Sequence, residues 1–287
     1  MQTVNNFLII GGDKRQNYMA DYIENSGKKV EIYAVPSPNR NNAKDLKREI
    51  ECADAIILPL PMTKDNKKLF SVEPMKETLD EIVSNFDTKH FVFAGMLGKG
   101  MESKISNRGA KVFDYFKRED VTIMNTVPTV QGILKCVIDN IDYTIYSSKC
   151  AVFGYGRVAK ITADTLSSLG AQVTVCARKQ SDIVLAEING LNGCFISDFH
   201  NEARDYDIII NTVPSLVIDR NIIEELKYST LIIDVASAPF GTDFAAAYEI
   251  GIKAIQCPSL PGKVAPKTAG KIIVDGIMNI LREEEYE

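Results

Sequence analysis

The sequence predicts an α/β protein of two Rossmann-like parallel-sheet domains with a cleft between them. Three observations carry that expectation. At 287 residues the chain is about twice the common single-domain size. Strand-sized apolar runs alternate with helix-length amphipathic stretches from end to end. One glycine-rich turn, Gly154-Tyr155-Gly156-Arg157-Val158-Ala159, stands at mid-chain between a strand and a helix.

In the first half, FLII (7–10) leads through GGDKRQ into a helix ending near Glu24. KVEIYAV (29–35), DAIILPL (54–60) and HFVFAG (90–95) read as buried strands, each followed by a loop rich in Gly, Pro, Asn or Lys. Weaker strands are expected at 111–116 and 122–127. From Thr129, an N-cap candidate, to about Tyr143 the apolar residues recur at helical spacing. The second half offers strands at 149–154, 171–177, 193–197, 207–213, 230–236 and 253–258, with a helix over 157–169. A last helix over 265–283 carries Ile272, Ile273, Ile277, Ile280 and Leu281, and the acidic end 282–287 reads as a solvated tail. Residues 1–127 with the C-terminal helix 265–287 are expected to form a flavodoxin-like substrate domain, and 128–264 the nucleotide domain.

Composition removes several classes. With 45% hydrophobic and 25% charged residues the chain is an ordinary folded one, and a net charge of −5 without a basic block argues against nucleic acid. No uninterrupted apolar run nears the ~20 residues of a membrane span, and no secretory signal is read, so a cytoplasmic protein is expected. The six cysteines lack CxxC spacing, which removes zinc and redox-motif readings and leaves most of them as core residues.

The glycine turn carries the cofactor. Gly154 permits a tight turn, Gly156 lets backbone approach a pyrophosphate, and Ala159 allows close helix–sheet packing. Free N–H groups from Arg157 and Val158 onward suit phosphate, with Tyr155 inside the turn. NAD sites place Asp or Glu at the end of the second strand. Here the chain reads Cys176-Ala177-Arg178-Lys179-Gln180-Ser181, so Arg178, aided by Lys179 and Ser181, is read as a fork for a 2′-phosphate, and NADP as the cofactor. The alternative is that these are exposed loop cations. Thr212-Val213-Pro214 and Val235-Ala236, at the ends of the fourth and fifth strands, are read as the nicotinamide side.

The first domain places a cation in each of its strand-end loops, Gly11–Arg15, Pro59–Lys64 and Gly95–Lys99, and a fourth cationic loop, 261–268, opens the last helix. Together they favour a small acidic substrate. His90 opens a strand and His200 lies in a polar loop, so neither suits an alcohol dehydrogenase's base. An oxidation that aromatises a ring needs less acid–base help.

GGDKRQ (11–16), LPLP (58–61), AGMLGKG (94–100), NTVPTVQG (125–132), VFGYGRVA (152–159), VTVCAR (173–178), DVASAPFGTD (234–243) and SLPGKVAPKTAG (259–270) resemble the family of dehydrogenase-like dipicolinate synthase subunits over nearly the whole chain. Gln131 departs from the family pattern, where an acidic residue is common. The resemblance implies NADP-dependent oxidation of a hydroxylated tetrahydrodipicolinate, or of its dehydrated dihydro form, to dipicolinate. It also implies work with a second, flavoprotein-like dipicolinate synthase subunit in the mother cell of a sporulating bacterium. The architecture it implies is similar to that of alanine and D-2-hydroxyacid dehydrogenases. Association of like chains as a homo-oligomer is a further expectation. A two-carboxylate substrate then needs two clamps. Arg15, beside Asp13, is the candidate for one, and Lys263, Lys267 and Thr268 for the other. Thr63 and Ser237 would orient the ring, and Lys64, Lys99 or Lys267 would assist the proton. A 2-hydroxyacid or shikimate-type dehydrogenase, and a non-catalytic NADP-binding scaffold, remain the alternatives.

Overall fold

A computed structural model describes residues 4–284. The chain divides into two compact units, Met1–Asn125 with Pro261–Glu287, and Thr126–Leu260. The acidic end lies outside the described residues from 285 onward.

Unit 1 runs β1 (Asn6–Ile10), α1 (Lys14–Asn25), β2 (Lys29–Tyr33), α2 (Leu46–Cys52), β3 (Ala55–Ile57), α3 (Leu79–Ser84), β4 (Phe91–Ala94), α4 (Lys99–Ser106), β5 (Lys111–Asp114) and α5 (Glu119–Met124). Its sheet is parallel throughout, ordered β2-β1-β3-β4-β5. Because both faces are covered at the centre of the sheet, β1, β3 and β4 are near-continuous buried apolar runs, whereas β2 and β5, at its edges, carry exposed Lys29, Glu31 and Lys111. Phe7 and Ile9 join one core with Met19 and Ile23 of α1, while Leu8 and Ile10 join another with Ile50, Ile82 and Ile105.

Unit 2 runs α6 (Thr126–Ile138), β6 (Lys149–Phe153), α7 (Arg157–Ser168), β7 (Gln172–Ala177), α8 (Gln180–Ile188), β8 (Asn192–Phe195), β9 (Ile208–Asn211), α9 (Arg220–Glu225), β10 (Leu231–Asp234), α10 (Phe244–Ile250) and β11 (Lys253–Gln256). Its parallel sheet is ordered β11-β10-β9-β6-β7-β8, the six-strand order of dinucleotide-binding folds. α11 (Leu260–Val264) starts on the last residue of this unit, and α12 (Pro266–Glu283) returns to unit 1. There Ile273, Val274, Ile277, Ile280 and Leu281 of α12 complete the core beneath α1.

Two expectations are corrected. The segment 122–127 is helical, not a strand. Glu119 and Asp120 fill the first turn of α5, where acids favour a helix, and Val121 packs against Gly276 of α12. Thr129 is no N-cap, because α6 already starts at Thr126 with Pro128 in its first turn, where a missing N–H costs nothing. Together Glu119–Ile138 is, by length and composition, long and apolar enough to cross a membrane. Uninterrupted apolar runs do not reveal it, because Thr, Asn, Gln and Gly interleave its apolar residues. The cysteines also divide. Cys150, Cys176 and Cys257 are buried, Cys136 and Cys194 are half-buried, and Cys52 is exposed.

Candidate functional site

The switch point of unit 2 lies between β6 and β9, from which the strand order runs outward both ways. β6 ends at Phe153 and the chain turns at Gly154, with φ +95°. A Cβ at Gly154 would stand 2.6 Å from Thr212 Oγ1, which donates to the Phe153 carbonyl at 2.8 Å. Gly is therefore required there by both conformation and space. Gly156 differs, since a Cβ there meets nothing within 4 Å. Its openness leaves room for a ligand outside the protein. Gly156 begins α7 with no side-chain cap and no acid in the first turn, so the helix start suits an anion. Ala159 is fully buried, as close helix–sheet packing needs. These residues fit a dinucleotide pyrophosphate.

Tyr155 brings its backbone only. Its side chain is buried, its hydroxyl accepts from Asn189 Nδ2 at 3.2 Å, and the Lys160 ammonium lies 5.1 Å over its ring. Arg157 is exposed and Val158 half-buried on the first turn of α7. At the end of β7, Ala177 is buried, whereas Arg178, Lys179 and Ser181 are exposed. The nearest following carboxylate, Asp182, belongs to the first turn of α8 and not to the strand end.

The loops after β9 and β10 are organised by a group that the sequence reading misses. Asp234 is fully buried and accepts from Asn211 Nδ2 (2.9 Å), Ala236 N (3.0 Å), Gly241 N (3.0 Å) and Thr242 Oγ1 (2.8 Å). Asn211 in turn holds the Val213 backbone through both its amide atoms. This carboxylate thus fixes Thr212-Val213-Pro214 relative to Val235-Ala236. Thr212, Val213 and Val235 are half-buried, Ala236 buried, and Pro214 and Ser237 exposed. The available signal was an acid ending the apolar run LIID just ahead of small and hydroxyl residues.

In unit 1 the strand-end loops are tied together. Met62 N donates to Gly95 O at 2.8 Å, Gly95 N to Pro59 O at 3.2 Å, and the buried Tyr115 hydroxyl to Leu58 O at 3.0 Å. Burial raises the Tyr115 pKa, which keeps that hydroxyl a donor. Arg15 is 4% exposed, and its fork is occupied. Nε and Nη2 each donate to Asp13 at 2.9 Å, and Nη2 also to the Leu60 carbonyl. The open carboxylate clamp expected at Arg15 is therefore turned inward. Asp13 caps α1 in a reciprocal capping box with Gln16. Gly262 packs on this pair, where a Cβ would lie 2.7 Å from Asp13 Oδ2.

The remaining candidates separate. Thr63 accepts from the backbone N–H groups of Asp65 and Asn66 in its own loop, and the Lys64 ammonium stands 4.4 Å over the Phe70 ring. Lys99 is exposed on the first turn of α4. Lys263 and Thr268 are exposed beside Gly262 and on α12. Lys267 instead lines a hollow of about 370 Å³ with Tyr18, Asp21, Tyr22, Glu24 and Arg40, along the flank of α1. Lys263 and Thr268 are not among the residues that line this hollow. His90 is buried, accepting from Asp87 N at Nδ1 and meeting Ile50 O at 2.9 Å through Nε2. His200 Nδ1 meets Ser197 O at 2.9 Å in an exposed turn. Neither imidazole lies at a strand's C-terminal end.

Residues 6–116 match the family formed by the N-terminal domain of the dipicolinate synthase A-subunit, and residues 144–247 match a family of NAD(P)-binding domains. The chain is 35% identical to the dipicolinate synthase A-subunit of Bacillus subtilis (strain 168) over 236 residues, 82% of this chain and 80% of the relative. The crystal structure of the corresponding dipicolinate synthase protein from Bacillus halodurans superposes with a TM-score of 0.87 at 31% identity, covering 98% of this chain and 99% of that one. An L-alanine dehydrogenase shares the fold, with a TM-score of 0.61 at 14% identity over 95% of this chain and 88% of that one.

Proposed function

The chain belongs to the dipicolinate synthase A-subunit family, and from that membership we propose that it oxidises a dihydrodipicolinate, or its hydroxylated tetrahydro precursor, to dipicolinate with NADP as acceptor. Its NAD(P)-binding match supports an oxidoreductase in kind, and its fold is one that a dehydrogenase shares. The observation that carries the choice of NADP is the end of β7. There an exposed Arg178 and Lys179 stand where a ribose-binding carboxylate would repel a 2′-phosphate. When bound, NADP would take a hydride from a ring carbon, and the ring would lose a proton as it becomes aromatic, the hydroxylated precursor having first lost its hydroxyl as water.

The protein's own share is orientation. Asp234 holds the two loops that would border the nicotinamide, while uncapped α7 and Gly156 would receive the pyrophosphate. Lys263 and Thr268 are the exposed candidates for a substrate carboxylate, with Lys64 and Lys99 beside the strand ends for the departing proton. Arg15 acts in this reading as a positioning residue that ties Asp13 to the Leu60 carbonyl. The flavoprotein-like B-subunit of dipicolinate synthase as partner, a homo-oligomer and a place in the mother-cell cytosol complete the proposal.

Titrating NADP and NAD against wild type and Arg178→Ala tests it. Loss of a charge-assisted contact, about 1.5–3 kcal/mol, should weaken NADP at least tenfold and leave NAD nearly unchanged. Equal weakening of both, or tighter NAD binding in wild type, rules NADP preference out. Absorbance of the reduced nicotinamide during turnover, with and without the B-subunit, separates a catalyst from a scaffold.

A further inference from the structure

Two thiols far apart in sequence lie side by side in unit 2. Cys136 of α6 and Cys257, just beyond β11, are 121 positions apart, yet their sulfurs are 2.9 Å from each other, less than an ångström beyond a disulfide bond (~2.05 Å). α6 packs closely on the segment after β11, since a Cβ at Gly132 would come within 2.6 Å of Leu260 Cβ. Cys257 is itself fixed to β10, its N–H donating to Asp234 O at 2.8 Å.

The unit contains its own contrast. Cys176 and Cys194 face each other across β7 and β8 at 3.5 Å, fixed by strand register, with Cys176 fully buried. Each pair joins one half-buried thiol, Cys136 or Cys194, to one buried partner, Cys257 or Cys176, so it is the shorter separation that singles out Cys136 and Cys257.

We propose that Cys136 and Cys257 form a thiol-oxidation site, joined as an intramolecular disulfide by exchange with a low-molecular-weight disulfide. The Cys136 thiol gives its proton to solvent, and its thiolate attacks the reagent's disulfide, displacing one thiolate and forming a mixed disulfide. The Cys257 thiol then loses its proton, and its thiolate attacks the Cys136 sulfur and displaces the second. Two electrons pass to the reagent, whose S–S bond breaks as the protein's forms, and the two displaced thiolates take up two protons. The product ties α6 to the end of β11 and closes nearly all of unit 2 into one loop.

The test treats the full chain with oxidised glutathione, blocks remaining thiols, and maps peptides without reduction. The expected result is one linked pair, Cys136–Cys257, lost on adding reductant, with a thermal midpoint raised by about 5 °C. In Cys257→Ser the link disappears and a glutathione adduct persists on Cys136. A wild-type chain carrying only a stable adduct at Cys136, no modification there, or a Cys176–Cys194 link in its place would overturn the proposal. Should the variant not fold, the wild-type map decides alone.

Discussion

The first strand-to-helix turn of each unit occupies the same place in its sheet, and the two are finished in opposite ways. After β6 the turn is open, with Gly156 facing space and α7 beginning without a cap. After β1 the turn is filled from within. Gly11 and Gly12 also have positive φ (+67° and +93°), but Asp13 places its own carboxylate on the N-terminus of α1 and Gln16 answers it. Arg15 then covers that carboxylate. An open helix start and a plugged one thus share one architecture, and the difference is one capping residue with its partner. A glycine-rich turn before a helix is evidence of a phosphate site only when the helix start is left uncapped.

The largest effect should come from the buried anchor of unit 2. Asp234→Ala leaves the donors of Asn211, Ala236, Gly241 and Thr242 buried without an acceptor, and should cost about 4 kcal/mol in urea unfolding. A loss below about 1 kcal/mol would mean that the loops after β9 and β10 do not depend on that anchor. Next is the plug itself. Asp13→Asn keeps a capping oxygen but removes the charge facing Arg15, and should cost about 2 kcal/mol. Unchanged stability would show that charge is not what closes the first turn.

Gly156→Val reads the open side directly. The Cβ meets no protein atom within 4 Å, so folding should change by less than about 1 kcal/mol. Isothermal titration should nevertheless show dinucleotide affinity falling at least tenfold, about 1.4 kcal/mol. The smallest effect concerns pH. The Arg118 guanidinium holds the Asp120 carboxyl at about 2, below the ordinary value of ~3.9, while also binding Glu283 of α12. A depressed carboxyl stabilises the fold above its unfolded value, and that contribution fades as pH falls from about 4 through about 2. The pair is solvent-exposed, so the acid-side loss should stay under about 1 kcal/mol and vanish in Arg118→Ala, as followed by thermal melts across that range.

Much of this was legible because buried parallel strands are continuous apolar runs. FLII, DIIIN and LIID announce themselves without their neighbours. The 122–127 segment misled because β-branched Thr122, Ile123, Thr126 and Val127 suit a strand, while the acids that start its helix stand just upstream. The glycine turn was readable because its chemistry is local. Arg15 was not, since DKR in one dimension cannot say that the guanidinium folds back onto the residue two before it. Lys267 was misplaced for a related reason. Position at a helix start gives no azimuth, and its neighbours prove to be Asp21 and Glu24 on the flank of α1.

The helix that completes unit 1 comes from the far end of the chain, and this sets an order of events during synthesis. Everything needed for the 126–260 unit has been made while the first sheet still lacks α12. The first sheet must therefore wait, with Met19 and Ile23 uncovered, for a helix translated after the whole of 126–260. A stop codon at the start of α12 would leave the glycine turn intact and ruin the opening sheet instead.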